Sequence, residues 1–265
     1  MIKVRKNFKD IPNILTIEPT RGISRKEAFK ANISASNYVD DNNGYKVGSV
    51  QKKLNEIYHL KCGYCEKKLL DSPKHIEHYR PKKGGYYWLA YSWDNLLLSC
   101  GECNSHKLDK FPIAQTKAEY NSESFEDIHN LGDDYDELEK PYIINPEKED
   151  ILDKLTFDKK GVIDSDDERV LRTIDICKLN REPLAKLREE VFVDFLEEME
   201  GHYQYYKLKK DVTRFIPTVK QFIDNCQKEH KFYAFRYFIL NNIEIFFDNR
   251  ILQNILIKII DKKTS

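Results

Sequence analysis

Two Cys-x-x-Cys pairs, Cys62/Cys65 and Cys100/Cys103, constrain this chain more than any other feature of its sequence. Each pair places two thiols on one side of a tight turn, and two such turns can close a tetrahedral site of four sulfurs around Zn²⁺. Because four thiolates leave no open coordination position, this zinc is expected to be structural. Its binding energy is then expected to stabilise the fold of a small, loop-rich segment, residues 62–107.

Composition places this segment in an ordinary water-soluble protein of one large domain or two small ones. The chain has 265 residues, of which 40% are hydrophobic, enough for a core, and 33% are charged. No long apolar run occurs, and no apolar stretch follows the first residues. We therefore expect neither a membrane span nor a signal peptide, and a cytoplasmic location. In a reducing compartment the six cysteines are not expected to form disulfides, and Cys177 and Cys226 are predicted to be small buried apolar residues.

Charge is balanced overall but divided unevenly between the two halves. The chain has 44 Lys/Arg and 44 Asp/Glu, and residues 1–112 contain about 20 of the former and about 12 of the latter. The basic half suits a polyanionic substrate, whereas the acidic remainder suits protein contacts. An ordinary solvated surface explains the same distribution, so both interpretations stay open.

Periodicity and turn residues predict an α+β protein. A helix is predicted over Val47–Leu60, a short strand over His75–Tyr79, and a short helix from Gly101, which together make a ββα-like finger around the metal. The turn signal at residues 40–44 and the Gly84-Gly85 pair predict loops.

The second half is predicted to be mainly helical. A strand-like run at residues 141–146 and a hairpin at 155–163 precede helices over 183–209, 217–230 and 231–260, the last broken near residue 248. The predicted organisation is a nuclease-like region (1–112), an acidic connector with the hairpin (113–165), and a helical region that could dock a partner (166–265). The acidic, turn-rich residues 112–140 are expected to be a connector or an exposed insertion.

The residues between and after the cysteine pairs suit metal-assisted cleavage of a phosphodiester. His78 can act as the base that activates water, because imidazole titrates near working pH. Glu77 and Asn104 offer the hard oxygens that Mg²⁺ prefers, and Asn95 is predicted to orient the loop or the base. In a strand, Glu77 and His78 point to opposite faces, so the backbone must bend or the site must enclose both side chains.

Two cations in the same segment, Arg80 and Lys107, are predicted to hold substrate phosphate. His75 and His106 are further candidates for ligands or phosphate contacts. Each of these residues alone also fits an ordinary surface or turn position, and only their order around the two cysteine pairs is specific.

This order resembles HNH endonucleases of the His-Me finger type. The resemblance rests on Cys62-x-x-Cys65, Ile76-Glu77-His78-Tyr79-Arg80-Pro81-Lys82, Trp93-Asp94-Asn95-Leu96-Leu97 and Cys100-x-x-Cys103-Asn104-x-x-Lys107. It implies that His78 is the general base, Asn95 the middle Asn, and Asn104 the third position, where Asn replaces His. Glu77 stands where the family has Asp or His as a ligand of the catalytic Mg²⁺ or Mn²⁺.

A closer resemblance is to the PtuB-like HNH proteins of Septu-type and retron-associated anti-phage systems. Short motifs carry it across residues 1–190, including Tyr142-Ile143-Ile144-Asn145-Pro146 and Thr173-Ile174. It implies a nuclease, with DNA as the expected substrate, that works with a separate ATPase subunit (PtuA-like). The chain has no Gly-x-x-x-x-Gly-Lys-Ser/Thr motif, which fits an ATPase supplied by another subunit. The alternative is a zinc-stapled module that binds nucleic acid or protein without catalysis.

Overall fold

Short helices on either side of one antiparallel strand pair make up the first half of the chain, and a small hairpin followed by helices makes up the second half. The computed structural model describes residues 1, 3–16, 24–40, 44–46 and 48–264. In the first half, the elements are α1 (Arg25–Ala35), α2 (Gly48–Ile57), β1 (Lys74–His78), β2 (Leu96–Cys100), α3 (Gly101–Lys107) and α4 (Gly132–Glu139). In the second half, they are β3 (Thr156–Phe157), β4 (Ile163–Asp164), α5 (Glu168–Ile176), α6 (Glu182–Lys209), α7 (Phe215–Asp224), α8 (Tyr233–Asn241), α9 (Ile243–Phe246) and α10 (Arg250–Thr264). The predicted α+β class is confirmed.

β1 and β2 form an antiparallel pair that leads directly into α3. The register runs from Lys74 opposite Cys100 to His78 opposite Leu96. Every residue of β2 is buried, so this strand forms the centre of the first half of the molecule. Cys100 is the N-cap of α3, and its Sγ accepts the backbone N–H of Cys103 at 3.4 Å. The predicted ββα finger is confirmed, with the second cysteine pair at the junction of strand and helix.

The helices of the second half form one packed group, in which α10 lies against α7 and α9. α7 and α8 lie against α6, and Phe195 of α6 stacks on Phe222 of α7 with 4.1 Å between ring centroids. The helix predicted over 183–209 is confirmed as α6. α7 ends at Asp224, earlier than predicted. The helix predicted over 231–260 is interrupted twice, at Asn242 and at residues 247–249, rather than once.

The hairpin is confirmed, but the strand-like run at 141–146 is not a strand. Phe157 pairs with Ile163 in the hairpin, whereas a single isolated bridge joins Ile113 to Pro141. The N–H of Ile144 donates to the hydroxyl of Thr173 at 2.9 Å, so a side chain takes the place of a neighbouring strand. The apolar pattern of this run reflects burial alone.

The acidic connector packs onto the finger and is not an exposed insertion. Ile128, His129, Tyr135 and Glu139 are all buried. Cys177 is buried as predicted, but Cys226 is only partly buried. The predicted helix over 47–60 is α2. Val47 and residues 41–43 of the predicted turn lie outside the described residues.

Among the helices that the structure describes, none combines the length and the apolar character needed to cross a membrane.

Candidate active site and zinc centre

The four cysteines of the two pairs meet in one buried cluster. Their sulfurs lie within 4.8 Å of one another, and the Sγ atoms of Cys65 and Cys100 are 3.8 Å apart. A tetrahedral zinc site with Zn–S bonds of about 2.3 Å needs sulfurs roughly 3.8 Å apart, so the donor set and its spacing fit Zn²⁺. Hydrogen bonds from Cys103, Cys62 and Cys65 hold the pKa of the Cys100 thiol below its usual value. The four thiols predicted to bind a metal therefore converge on one four-sulfur site.

An arginine from the helical half closes this cluster. Arg181, the N-cap residue of α6, points its guanidinium at the sulfurs of Cys103 and Cys100, at 3.6 and 3.8 Å. It also pairs with Glu102 at 3.1 Å. Burial works against the charge of Arg181, but the neighbouring thiolates, Cys103 first, outweigh it and raise its pKa. The sequence pattern gave no hint of Arg181, because it lies 78 residues beyond Cys103.

The first cysteine pair is also tied to the helical half. Glu66, which follows Cys65, accepts the N–H of Ala234 at the start of α8 at 3.2 Å. Lys61, which precedes Cys62, donates to the carbonyl of His230 at 3.0 Å. The second half of the chain therefore contacts the residues that flank the first cysteine pair, as well as the sulfurs of the second pair.

His78 ends β1 and has a fixed ring. Its Nε2 lies 3.0 Å from the carbonyl oxygen of Ala90, so Nε2 carries the proton and Nδ1 is the basic nitrogen. The ring meets Tyr45 edge-on, with 4.6 Å between centroids. Burial, and next the charge of Lys82, lower the pKa of His78 to about 3. The imidazole is therefore neutral at neutral pH, the state that a general base requires, but it titrates well below the working pH expected from the sequence and is a correspondingly weaker base.

Glu77 is directed towards α3. Lys107 donates to Glu77 Oε1 at 2.7 Å and to the carbonyl of His78 at 2.8 Å. The Asn104 amide nitrogen donates to the other oxygen, Oε2. Glu77 and Asn104 thus adjoin one another, as two oxygen ligands of a divalent cation must, although the amide oxygen has to replace the nitrogen for Asn104 to act as one.

Glu77 and His78 line the same cleft although they alternate along the strand. The cleft holds about 150 Å³, and its lining also includes Asn104 and His75. His78 is the last residue of β1, where the pleat ends, and the cleft wraps around the end of the strand. The site therefore encloses both side chains, one of the two solutions that the strand geometry allows.

Asn95 acts on the backbone. Its Oδ1 accepts the N–H of Arg80 at 2.7 Å, and its Nδ2 donates to the carbonyls of Arg80 and Leu89 at 3.0 and 3.2 Å. These bonds fix the chain just after His78 and just before Ala90, the acceptor of the His78 proton. Asn95 thus hydrogen-bonds to backbone outside the lining of the cleft, and its orienting role stays a prediction.

The two predicted phosphate contacts are engaged elsewhere. Arg80 is 2% exposed and pairs with Glu139 at 2.7 Å and Asp136 at 2.6 Å, both on α4. Lys107 is fully buried against Glu77. Neither position fits a phosphate role, because a buried cation whose charge is already paired does not reach a substrate strand.

Three other lysines lie at the cleft itself. Lys46, Lys82 and Lys83 line the cleft. The Lys82-Lys83 pair directly follows the His78–Pro81 motif, so its position was available from the sequence, whereas Lys46 lies 32 residues before His78 and had no local signal. His75 also lines the cleft, but His106 does not and is partly exposed on the last turn of α3.

Comparisons with known proteins agree with this geometry. The HNH endonuclease family matches residues 62–110. The chain is 31% identical over 210 residues to the Septu protein PtuB of Bacillus mycoides strain KBAB4, an alignment covering 73% of this chain and 68% of that protein. It is also 25% identical over 158 residues to the Septu protein PtuA of the same strain, covering 55% of this chain and 21% of that longer protein. With its HNH segment folded as a ββα finger on a four-cysteine centre, the chain belongs to the PtuB-like family of HNH proteins.

Proposed function

We propose that this protein is a metal-dependent HNH endonuclease that hydrolyses phosphodiester bonds in DNA. One observation carries the proposal: a neutral histidine, a carboxylate and an amide line one cleft together with three lysines. This combination supplies a base, hard-oxygen ligands and positive charge for a polyanion.

Each residue has a distinct task in the proposed reaction. His78, held by the Ala90 carbonyl through Nε2, takes a proton from the attacking water at Nδ1. Asn95 fixes the two backbone segments that set the position of this ring. Lys46 and Lys83 contact the phosphates of the strand, in place of Arg80 and Lys107.

Glu77 and Asn104 would hold the catalytic Mg²⁺ or Mn²⁺. When bound, such a cation neutralises charge on the phosphate and on the leaving oxygen. Two protein ligands and several waters are usual for Mg²⁺. Lys107 keeps Glu77 in position at the base of the cleft and partly offsets its charge.

We further propose that the nuclease works in anti-phage defence with a PtuA-like ATPase subunit. The similarity to the Septu protein PtuB supports this role. The exposed face of α6 carries acidic residues that suit a basic partner surface: Glu190, Asp194, Glu197 and Glu198. Co-purification of the two proteins checks the association. A complex that persists after charge reversal at Glu190 and Glu197 would place the interface elsewhere.

Cleavage of plasmid DNA tests the central proposal. The zinc-loaded protein, alone and with the ATPase, is incubated with plasmid and Mg²⁺ or Mn²⁺, and nicked and linear products are measured. We expect His78→Ala to abolish cleavage while its circular dichroism and zinc content match the wild type. His106→Ala, on α3 but outside the cleft, is the matched control and should cut normally.

A non-catalytic binding module is the second candidate. It is favoured by the hydrogen bonds that Glu77 already accepts from Lys107 and Asn104, because they occupy both of its carboxylate oxygens. A module of this kind binds DNA equally with and without Mg²⁺, and cuts under neither condition even with the ATPase present. Cleavage that depends on His78 excludes it.

A further inference from the structure

A tyrosine from outside the HNH segment buttresses the proposed base. Tyr45 precedes residues 62–110 and is 4% exposed. Its ring stands at 78° to the His78 ring, with 4.6 Å between centroids. Such an edge-to-face contact limits rotation of the imidazole without using a hydrogen bond. The second hydrogen-bonding atom of His78, Nδ1, therefore remains for chemistry.

The same tyrosine holds a cation of the cleft. The Lys82 ammonium lies over the rings of Tyr38 and Tyr45, 3.8 and 3.9 Å from their centroids. It also donates to the Tyr45 hydroxyl at 2.7 Å. A lysine on a flexible stem is thereby held at one place, because two ring faces and a hydroxyl converge on its ammonium.

The segment that supplies these rings is fixed to the finger. Asn32 of α1 is fully buried. Its Oδ1 accepts the N–H of Val39 at 2.8 Å, and its Nδ2 donates to the carbonyl of Tyr87 at 3.1 Å. The backbone next to Tyr38 is therefore tied to the loop between β1 and β2.

We propose that the region before the HNH segment completes the active site. Tyr45 is a positioning residue for His78, and Lys82, held by Tyr38 and Tyr45, contacts a phosphate of the DNA strand beside the scissile bond. This inference rests on the proposed nuclease function and adds to it. It makes the site depend on residues that the HNH motif does not include.

Kinetics separate the two roles. Because Tyr45→Leu frees the His78 ring, we expect kcat to fall about tenfold or more, since misplacing a catalytic group costs rate. Because it also removes one of the two rings that hold Lys82, KM should rise as well, but by no more than in Lys82→Met. Tyr45→Phe keeps the ring and should restore most of kcat. Lys82→Met should raise KM severalfold with little effect on kcat, and Lys82→Arg should recover part of the loss. Tyr237→Leu and Lys186→Met, on α8 and α6, are the controls.

Two measurements do not need cleavage. In protein labelled with ¹³C-histidine, the His78 ring signal, assigned by its loss in His78→Gln, should shift in Tyr45→Leu and return towards the wild type in Tyr45→Phe. Affinity for a short DNA duplex in Ca²⁺ should fall in Lys82→Met and not in Lys186→Met.

The outcomes distinguish this inference from the nuclease function. A wild type that cuts, with unchanged kcat and His78 signal in Tyr45→Leu, overturns the positioning role. Unchanged duplex affinity and KM in Lys82→Met overturn the phosphate contact. A wild type that cuts under no condition contradicts the nuclease function, while the histidine signal and duplex affinity still decide the two contacts.

Discussion

At the scale of single residues, burial distinguishes cations that form ion pairs inside the protein from cations that are accessible beside the cleft. Arg80 and Lys107 both belong to the sequence motifs, but their side chains are buried against carboxylates. A buried charge is costly unless it is paired and hydrogen-bonded, so these two cations are committed to Glu139 and Glu77. Lys46 and Lys83 remain exposed beside the cleft and, together with Lys82, are the phosphate contacts that we propose.

Lys107→Met gives the clearest residue-level test of this distinction. Removing the ammonium leaves Glu77 buried without its cation, so we expect the free energy of unfolding to fall by about 3 kcal/mol. Urea denaturation of the zinc-loaded protein measures this change, and Lys110→Met, an exposed lysine just after α3, should have almost no effect. Full stability in Lys107→Met combined with weakened DNA binding would instead support a phosphate role for Lys107.

At the scale of elements, α6 is coupled to the four-cysteine cluster through its N-cap residue, Arg181. Arg181 contacts the second cysteine pair at the N-terminus of α6. Glu66, which follows the first pair, accepts the N–H of Ala234 in α8. Partners outside the ligand shell orient metal ligands and tune their basicity. The helices are therefore part of the metal centre's support and not a separate attachment to the finger.

Arg181→Met should weaken zinc binding. Loss of a hydrogen-bonding partner of metal ligands commonly costs 10–100-fold in affinity, so we expect roughly a tenfold or greater rise in the zinc dissociation constant. Competition with a chromophoric chelator measures it. Arg181→Lys keeps the charge and should recover part of the affinity, and Lys186→Met on the exposed face of α6 is the control. Equal zinc affinity in Arg181→Met would show that the contact to sulfur is incidental.

At the scale of the whole molecule, the acidic connector joins the finger to the rest of the chain through buried polar contacts. Glu139 of α4 pairs with Arg80, and His129 accepts the N–H of Trp93 through Nδ1 at 3.1 Å. His129 is 2% exposed, and burial lowers its pKa to about 4. The free energy of unfolding should therefore depend on pH through this histidine.

The sign of that dependence follows from proton uptake. The unfolded chain protonates His129 near its ordinary pKa of about 6.5, whereas the folded protein does so only near 4. The unfolded state binds more protons between these values, so the free energy of unfolding should decrease as pH falls from 6.5 to 4, by up to about 3 kcal/mol. His129→Asn keeps an acceptor for Trp93 and should make this part of the curve less steep, while His78, whose pKa is also lowered by burial, still contributes in the same direction. Equal slopes in the two proteins would contradict the assignment.

The sequence determined the finger, because its information is local. Short spacing fixes Cys-x-x-Cys turns, β1 and β2 are short runs beside them, and Asn104 and Lys107 follow the second pair on one short helix. The long helix α6 was equally readable from its apolar periodicity. The strand prediction at 141–146 was wrong because burial and β-structure give the same apolar pattern, and only the neighbouring atoms distinguish them.

Only the tertiary structure decided which charges face the cleft and which parts of the chain complete the two sites. Three residues contact the finger from sequence separations that no local pattern encodes: Tyr45, Arg181 and His129. Arg80 is paired with carboxylates of α4 and does not line the cleft. The physical reason is that desolvation and ion pairing depend on what packs against a side chain. The sequence thus determined the chemistry available to this protein, and the packing of its distant segments decided where that chemistry is presented.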